Sequence, residues 1–364
     1  MIITWITNVA SPYRRPLWRA IEKNHDLHIV LLESDTQLKR EGRRGSDWLS
    51  TSMSQSTSNP RTVRFARGET ILYAAVGSLR LFRRRPHAAL IAGWESPAFW
   101  QALLQCKLRG IRAVGFYEST LETNRFTEGP VARARNYFFR QLDAIVVPGT
   151  AARDAVLAFG VDEKKIFIGF NAVDVSQFNE TTRQVARQNR VDETGHSFLF
   201  VGQLIDRKNV IVLLRAFADM CRPEDSMTFV GSGELAPVLQ KAARDAGIEK
   251  QVRFLGSLSN EETAHTMAES QTLVLPSKEE VWGLVVNEAL AAGMNVVVTG
   301  VCGVAPAVRS MQGVYVCEPD ELSIRRDMVK SRAAWNGHRL DPEILRHTPE
   351  EFADVFVKAL KTPA

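Results

Sequence analysis

The most specific segment of the sequence lies in the second half of the chain. It reads Pro276-Ser-Lys-Glu-Glu280-Val-Trp-Gly283-Leu-Val-Val-Asn-Glu288-Ala-Leu-Ala-Ala-Gly293. An apolar strand ends just before it, a loop carries Glu280, and a helix that begins near Gly283 carries Glu288. The backbone N–H groups of Gly283, Leu284 and Val285 start this helix without partners and favour an anion such as a diphosphate. Carboxylates only accept hydrogen bonds, so the two Glu side chains suit sugar hydroxyls. The pattern indicates a nucleoside diphosphate sugar; alternatively, both carboxylates only favour the helix N-terminus electrostatically.

Size and composition limit the class of protein. A chain of 364 residues, 45 % hydrophobic, more often forms two domains than one. No apolar run approaches the roughly 18–20 residues of a membrane-spanning helix, and the first residues carry no charged leader, so we expect no signal peptide. The four cysteines show neither metal-site spacing nor a disulfide framework, which indicates a reducing, cytoplasmic compartment. They are Cys106, Cys221, Cys302 and Cys317.

Positive charge is concentrated in the first half. Residues 1–180 carry a net charge of +8, whereas the remainder carries −3. One basic cluster consists of Arg80, Arg83, Arg84 and Arg85, and the other consists of Arg133, Arg135 and Arg140. Both clusters could be solvated surface. They could also contact anionic lipid head groups or a phosphate-bearing acceptor, whereas no motif indicates nucleic acid.

Strand-like and helix-like segments alternate along the chain. This order predicts an α/β protein with βαβ units and mostly parallel sheets. The predicted strands are Ile2–Thr7, Leu27–Leu32, Thr62–Phe65, Ala88–Ile91, Ala113–Phe116, Asp143–Val147 and Lys165–Phe170, then Ser197–Val201, Met227–Val230, Val252–Leu255, Thr272–Leu275, Asn295–Val298 and Val314–Cys317.

Three stretches between these strands carry separate predictions. Residues 34–60 are polar without periodicity and predict a loop, and a helix is expected from the strand Thr62–Phe65 to about Phe82. The polar stretch Thr181–Gly195 predicts a linker. We therefore predict two Rossmann-like domains with a deep cleft between them.

The segment Glu280-x7-Glu288, with its flanking residues, resembles the signature of retaining family 4 glycosyltransferases, which have the GT-B fold. The resemblance implies that Glu280 contacts the transferred sugar and Glu288 the ribose. It places an acceptor domain at residues 1–181, a donor domain at 182–320 and a C-terminal helical segment at 321–364. The last helix, Pro349–Leu360, is expected to pack back onto the first domain.

A second segment, Phe198-Leu-Phe-Val-Gly202-Gln203-Leu-Ile-Asp-Arg207-Lys208-Asn209, resembles the family's strand that ends in G-R-L-x-x-x-K. The resemblance implies that Lys208 holds the donor diphosphate, which suits a point charge on a flexible stem. Gln203 stands where the family has Arg, so one positive charge is missing unless Arg207 replaces it. An exposed lysine at a helix start is the alternative for Lys208.

Further donor-side residues follow from the same resemblance. The turn with Gly231 and Gly233 lies by the donor in the family, although such a pair is more often only a tight βα turn. Gly256 and Leu258 match a segment whose backbone meets the nucleobase. Trp282 lies within the Glu280–Glu288 segment and completes the predicted donor site, while Asn171 and Asp174 are interpreted as structural.

Acceptor-side candidates lie in the first half. Ser11 and Arg14 follow the first strand within a stretch that some family members share, although a helix-capping Ser and an exposed Arg are equally compatible with it. Trp94 and Glu95 follow another strand. Tyr117 and Glu118 follow a third, and Glu118 could orient the acceptor hydroxyl or stabilise positive charge at the anomeric carbon; an ordinary loop Glu is the alternative.

Taken from the resemblance, the expected activity is transfer of a sugar from a UDP- or GDP-sugar with retained configuration, without metal or other cofactor. Glu280, Lys208 and Glu118 are the predicted catalytic residues. The expected partners are the nucleotide-sugar donor, a glycan or lipid-linked cell-envelope acceptor, and the inner face of an anionic membrane. The alternatives are a non-catalytic sugar-nucleotide-binding protein, favoured by Gln203, and a synthase- or phosphorylase-like enzyme.

Overall fold

The computed structural model describes the chain except residues 42–49, 51–52, 54, 68–69, 77–80, 83–84, 188–194 and 363–364. The strands are β1 (Ile2–Thr7), β2 (Asp26–Leu31), β3 (Ser56–Ser58), β4 (Thr62–Arg67), β5 (Thr70–Ala75), β6 (Ala88–Ile91), β7 (Arg112–Phe116), β8 (Ala144–Pro148), β9 (Ile166–Gly169), β10 (Ser197–Val201), β11 (Ser226–Val230), β12 (Val252–Gly256), β13 (Thr272–Leu275), β14 (Asn295–Thr299) and β15 (Val314–Cys317). The α-helices are α1 (Arg15–Glu22), α2 (Asp35–Glu41), α3 (Pro97–Arg109), α4 (Gly129–Arg140), α5 (Gly149–Ala158), α6 (Ser176–Arg187), α7 (Val210–Ala218), α8 (Ala236–Asp245), α9 (Asn260–Ala268), α10 (Leu284–Ala291), α11 (Ala305–Val308), α12 (Glu321–Ala333) and α13 (Pro349–Lys361).

The chain divides into two compact units. Unit 1 comprises Met1–Val173 and Thr348–Ala364, and unit 2 comprises Asp174–His347. The division predicted after residue 181 falls inside α6, and the C-terminal segment predicted from residue 321 is divided between the units at residue 348.

Unit 1 is built on a seven-stranded sheet with the order β3-β2-β1-β6-β7-β8-β9, in which every neighbouring pair is parallel. Such sheets bury both faces, which explains the continuous apolar runs of strands such as β8. α13 covers part of one face: Phe356 packs within 5.1 Å of both Trp5 and Phe116, measured between ring centroids. Arg112 Nε also donates to the carbonyl of Ala359 at 3.0 Å.

Unit 2 repeats the architecture with a six-stranded parallel sheet, β12-β11-β10-β13-β14-β15. Local sequence sets the helix starts. Ser259 and Glu262 form a capping box at α9, with Ser259 Oγ accepting from the Glu262 N–H at 3.2 Å and Glu262 Oε2 accepting from the Ser259 N–H at 2.8 Å. Asp320 caps α12 through the N–H of Ser323.

The expected helix after Thr62–Phe65 is wrong. β4 and β5 form an antiparallel hairpin in which Arg64 pairs with Tyr73. Tyr73 is buried, and its N–H donates to Ser96 Oγ at 3.1 Å, so a tertiary contact favours the extended form. Residues 77–80 of the predicted helix lie outside the described chain.

Two other polar stretches contain secondary structure that was not predicted. The expected loop at 34–60 contains α2 and β3, and both nitrogens of the His28 ring bond serine hydroxyls of β3, at 2.9 and 2.8 Å. The expected linker begins inside α6, where the Thr182 hydroxyl donates to the carbonyls of Phe178 and Ala292. Threonine looks polar in sequence but can be buried in a helix when its hydroxyl has such partners. Residues 188–194 of that linker lie outside the described chain.

Candidate functional site

In unit 2, the predicted donor residues lie at one edge of the sheet. β12, β11, β10 and β13 are parallel neighbours, so their carboxyl ends meet at the same edge. Gly256 ends β12, Gly231 follows β11, Gly202 follows β10, and the loop with Glu280 follows β13. Ligands of open α/β sheets bind at this edge, so the arrangement places the four segments where a ligand would lie.

The two glycine loops after β10 and β11 lie against each other. The Leu204 N–H donates to the Ser232 carbonyl at 2.9 Å, and the Leu235 N–H donates back to the Leu204 carbonyl at 3.0 Å. A Cβ on Gly231 would stand 1.9 Å from the Gly202 carbonyl oxygen, and a Cβ on Gly233 would stand 2.3 Å from the Leu204 oxygen. The glycines therefore permit two backbones to approach closely, beyond forming a tight turn.

Lys208 and Glu280 form an ion pair between Nζ and Oε2. Their side chains are only 11 % and 13 % exposed. Lys208 ends a 3-10 helix at Asp206–Lys208, and the Glu280 carbonyl accepts from the Gly303 N–H at 3.1 Å. The structure thus brings together the residue predicted to hold the diphosphate and the residue predicted to contact the sugar.

The start of α10 lies at the end of the same loop. Gly283 is the N-cap residue of α10 and adopts φ 99°, a conformation that favours glycine. As a glycine, it has no side chain that could cap the helix. In the part of the chain that the structure describes, the N–H groups of Leu284 and Val285 have no hydrogen-bond partner. These two donors are available to an anion.

Glu288 lies one turn into α10. Burial raises the pKa of Glu288 to about 7, although the residue keeps some exposure to solvent. Within the described chain its carboxylate makes no hydrogen bond or ion pair. An unpaired, buried acceptor beside the helix start is suited to hydroxyl donors.

The remaining donor-side residues differ in their surroundings. Gln203 and Arg207 are exposed, and Arg207 Nη2 donates to Gln203 Oε1 at 3.4 Å, so a cation does lie beside Gln203. Trp282 is buried, and its indole N–H donates to Asn287 Oδ1 at 3.3 Å. The Trp282 ring therefore packs in the protein interior, and Leu258 is half-buried after β12.

In unit 1, Arg14, Glu118 and Asn171 are linked. Arg14 Nη2 donates to Glu118 Oε2, and Asn171 Nδ2 donates to Glu118 Oε1 at 3.2 Å. The Arg14 guanidinium also lies 4.4 Å from the ring centroid of Phe116. Arg14 is therefore not an exposed arginine, and both oxygens of Glu118 are engaged, so a role on an acceptor hydroxyl requires exchange of one contact. At the start of unit 2, Asp174 Oδ1 accepts from the N–H and the hydroxyl of Ser176, the first residue of α6, which agrees with its structural interpretation.

Trp94, Glu95 and Tyr117 lie around a recess of about 430 Å³ in unit 1. This recess opens at the carboxyl ends of β1, β6 and β7, where Asn8, Trp94 and Tyr117 follow the strands. Ser11 lies outside its lining, and the Ser11 side chain makes no capping bond to the 3-10 helix at Pro12–Arg14, which rules out the capping interpretation.

The basic cluster on α4 does not form one continuous patch. Arg133 and Arg140 are exposed on α4, but Arg135 is buried and lines the recess, so the prediction that all three share one surface is wrong. The sequence carried a signal for this: the buried positions of α4 are 132, 135, 138 and 139, a helical spacing that puts Arg135 on the apolar stripe. Of the other cluster, Arg80, Arg83 and Arg84 lie outside the described residues, and Arg85 is exposed, with Nη2 donating to the Arg109 carbonyl at 2.6 Å.

The described part of the chain contains neither a candidate metal site nor a candidate membrane-spanning helix. No group of three His, Cys, Asp or Glu side chains within it is placed to hold a metal ion. Likewise, none of its helices combines the length and the apolar character needed to cross a membrane.

Comparison with solved structures defines the class of fold. HepE of Anabaena, solved in complex with UDP, superposes with a TM-score of 0.68 at 15 % identity, covering 99 % of this chain and 94 % of HepE. The lipopolysaccharide outer core galactosyltransferase WaaB gives the same TM-score and identity, covering 99 % of both chains. The protein has the two-domain α/β fold of the GT-B class.

Sequence comparison identifies the family. Residues 17–177 match Glycosyltransferase Family 4, and residues 182–326 match Glycosyl transferases group 1. The chain therefore belongs to the family 4 glycosyltransferases.

Curated relatives are similar over part of their length. The lipopolysaccharide glucosyltransferase WaaG of Escherichia coli is 28 % identical over 195 residues, which are 49 % of this chain and 51 % of WaaG. An uncharacterized glycosyltransferase of Methanocaldococcus jannaschii is 26 % identical over 202 residues, 53 % of this chain and 52 % of the relative. The chain thus spans about half the length of the curated relatives it matches.

Proposed function

We propose that this protein transfers a sugar from a nucleoside diphosphate sugar to an acceptor hydroxyl with retention of anomeric configuration. The observation that carries the proposal is the ion pair between Lys208 and Glu280, because Glu280 lies on the loop that leads to the open N–H groups of Leu284 and Val285. A cation and a helix N-terminus serve the diphosphate, and carboxylates serve the polyols on either side.

Each predicted donor-site residue of unit 2 has a role in this proposal. Lys208 and the start of α10 stabilise the negative charge that develops on the departing diphosphate. When Lys208 turns to phosphate, the Glu280 carboxylate is released to accept from hydroxyls of the transferred sugar. Glu288 accepts from the ribose hydroxyls, and the backbone after Gly256 meets the base. We infer no metal and no further cofactor, because the cations of the chain supply the required charge.

Arg207 takes the place of the missing arginine at Gln203. The Arg207 guanidinium contacts Gln203, with Nη2 3.4 Å from Oε1, so its charge lies beside the position where the family has an arginine. An arginine binds phosphate through two parallel N–H groups, which suits it to this substitution.

Uridine is the base we propose, and a cell-envelope glycan or lipid-linked precursor is the acceptor class. Support comes from relatives: HepE was solved with UDP, and with UDP-glucose, and WaaG is a lipopolysaccharide glucosyltransferase. Exposed Arg133 and Arg140 on α4 could contact an anionic membrane at its cytoplasmic face. Replacing both with Glu should then abolish binding to phosphatidylglycerol vesicles, and absence of such binding in the unmodified protein would exclude the membrane contact.

The test of the donor site is a calorimetric titration with UDP-, GDP- and ADP-sugars. One sugar nucleotide should bind, and Glu288→Ala should weaken it at least tenfold, whereas Glu279→Ala, which changes a carboxylate of the same loop, should not. No binding of any donor would overturn the proposal. Binding without transfer to any acceptor would instead support the non-catalytic alternative that Gln203 favours. The anomeric configuration of the product, read by proton NMR, tests retention.

A further inference from the structure

Arg135 is a buried cation without a counter-charge. Its side chain is only 3 % exposed, and four of its five N–H groups bond neutral acceptors. Nη1 donates to Asn124 Oδ1 and to the Phe126 carbonyl, while Nε and Nη2 both donate to Asn136 Oδ1. Among the residues that the structure describes, none supplies a carboxylate in ion-pair contact with it.

Such a charge is unusual inside a protein. Taking a guanidinium out of water costs several kcal/mol unless a partner of opposite charge offsets the loss. The Phe159 ring, 3.9 Å from the guanidinium to the ring centroid, offsets part of it. Burial lowers the pKa of Arg135, and the neighbouring group that raises it is the phenol of Tyr117, which is neutral at physiological pH. The protein alone therefore leaves a net positive charge in the interior.

This charge faces an open recess. Arg135 lines the cavity of about 430 Å³ in unit 1, together with Trp94, Tyr117, Ser119 and Arg125. Among the described residues that line the recess, Glu95 supplies the carboxylate. Glu95 is exposed at the edge of the recess, where its Oε2 accepts from the Trp94 N–H at 3.1 Å. Two guanidiniums against one carboxylate give the recess a net positive charge.

We propose that this recess binds an anionic group, phosphate or carboxylate, carried by the acceptor, and that Arg135 is the residue that selects for it. The remaining N–H of Arg135 Nη2 donates to the anion and Arg125 adds charge. The hydroxyls of Tyr117 and Ser119 are hydrogen-bonded to each other and together offer one further donor. Trp94 offers an apolar face to the sugar ring beside the charge. The identification of this ligand as the acceptor depends on the proposed function, whereas the preference for an anion does not.

The probes are three pyranoses that differ at C6: glucose, glucuronate and glucose 6-phosphate. They are titrated by calorimetry into the full chain at saturating UDP, which occupies the anion site of unit 2. We expect at least one anionic probe to bind tenfold or more tightly than glucose. The stronger of the two anions identifies carboxylate or phosphate.

Two variants on α4 form a matched pair. Arg135→Gln should reduce the affinity for the anionic probes to that for glucose. Arg133 is exposed two residues away, and Arg133→Gln should leave the preference for anions intact. A merely structural Arg135 would lower the affinity for all three probes alike. Equal affinity for the probes, no binding of any of them, or a preference that survives in folded Arg135→Gln would overturn the proposal.

Glu95→Gln provides a test that leaves Arg135 in place, since the contacts of Arg135 to Asn124 and Phe126 also hold the loop after β7. Removing the carboxylate at the edge should tighten binding of the anionic probes several-fold relative to binding of glucose by the same variant. No change for the anions counts against the proposal. Failure of UDP to bind in these titrations would refute the proposed donor site, while the dependence of the anionic probes on Arg135 would still be measured.

Discussion

Lys208 and Glu280 are 72 positions apart in the sequence, yet their side chains form an ion pair that is nearly enclosed by protein. While no ligand is present, each charge compensates the other, which lowers the desolvation free energy of holding both side chains in a largely buried site. A diphosphate would compete with Glu280 for Lys208. Donor binding and release of the Glu280 carboxylate would therefore be one event, and the carboxylate would become free where the sugar arrives.

Replacing Lys208 should affect UDP binding and stability more than replacing a lysine of an exposed ion pair. We expect Lys208→Ala to lower UDP affinity at least tenfold and to destabilise the protein by roughly 1–3 kcal/mol, because Glu280 is left without its partner. Lys278→Ala is the control: Lys278 pairs with Asp206 at 2.8 Å in the same region, but both side chains are largely exposed. That pair is worth under about 1 kcal/mol. Calorimetry and urea unfolding measure both effects, and equal losses in the two variants would refute the assignment.

Donor affinity should depend on pH through Glu288. Its pKa in the free protein is raised to about 7 by burial, so the carboxylate is largely protonated at pH 6 and ionised at pH 8. Only the ionised form accepts hydroxyl donors with both oxygens. UDP-glucose should therefore bind more tightly as the pH rises from 6 to 8, by up to about tenfold. Glu288→Gln should bind weakly with a flat profile, and a flat profile in the unmodified protein would exclude this role.

The sequence predicted the sheet of unit 2 almost to the residue. Thr272–Leu275 and Ser197–Val201 are observed with their predicted bounds, because a parallel strand buried on both faces is a short continuous apolar run. The start of a helix near Gly283 was also predictable, because it depends on the local sequence. The ion pair of Lys208 with Glu280 was not, since nothing in either segment specifies which side chains meet.

Unit 1 was predicted less well where long-range contacts decide the local structure. The stretch Thr70–Ala75 forms a hairpin strand because its partners, β4 and Ser96, lie elsewhere in the chain. Arg135 looked like part of a surface cluster because charge usually indicates exposure. Only the apolar positions around it on α4 indicate its burial.

Close packing of the two glycine loops predicts a steric effect at Gly233. A Cβ there would stand 2.3 Å from the Leu204 carbonyl oxygen, so the backbone must shift. We expect Gly233→Ala to lower the free energy of unfolding by about 1–3 kcal/mol and to weaken UDP binding. Gly300→Ala is the matched control, because Gly300 also follows a strand of unit 2 and its Cβ would meet nothing closer than 3.7 Å. Urea unfolding of the two variants decides the point, and a neutral Gly233→Ala would contradict the packing argument.

His196 is buried in unit 2. Its ring bonds Thr272 Oγ1 at 2.8 Å through Nε2 and packs against Phe198, and burial lowers its pKa to about 4. The unfolded chain takes up a proton on this histidine near pH 6.5, whereas the folded protein does not until about pH 4. Because the unfolded state binds more protons in that window, His196 makes the protein lose stability as the pH falls from 6.5 to 4, by at most about 3 kcal/mol.

Glu288 has the opposite sign in an overlapping window, because its folded pKa lies above the unfolded value, and it makes the protein gain stability as the pH falls from 7 to about 4.5. The stability curve of the unmodified protein therefore mixes two effects, and only a difference between variants isolates either. His196→Gln should lose less stability between pH 6.5 and 4.5 than the unmodified protein, while His265→Gln, an exposed histidine of the same unit, should follow the unmodified curve. Glu288→Gln should lose more. If all three variants run parallel to the unmodified protein, neither buried group titrates with the shift that its surroundings imply.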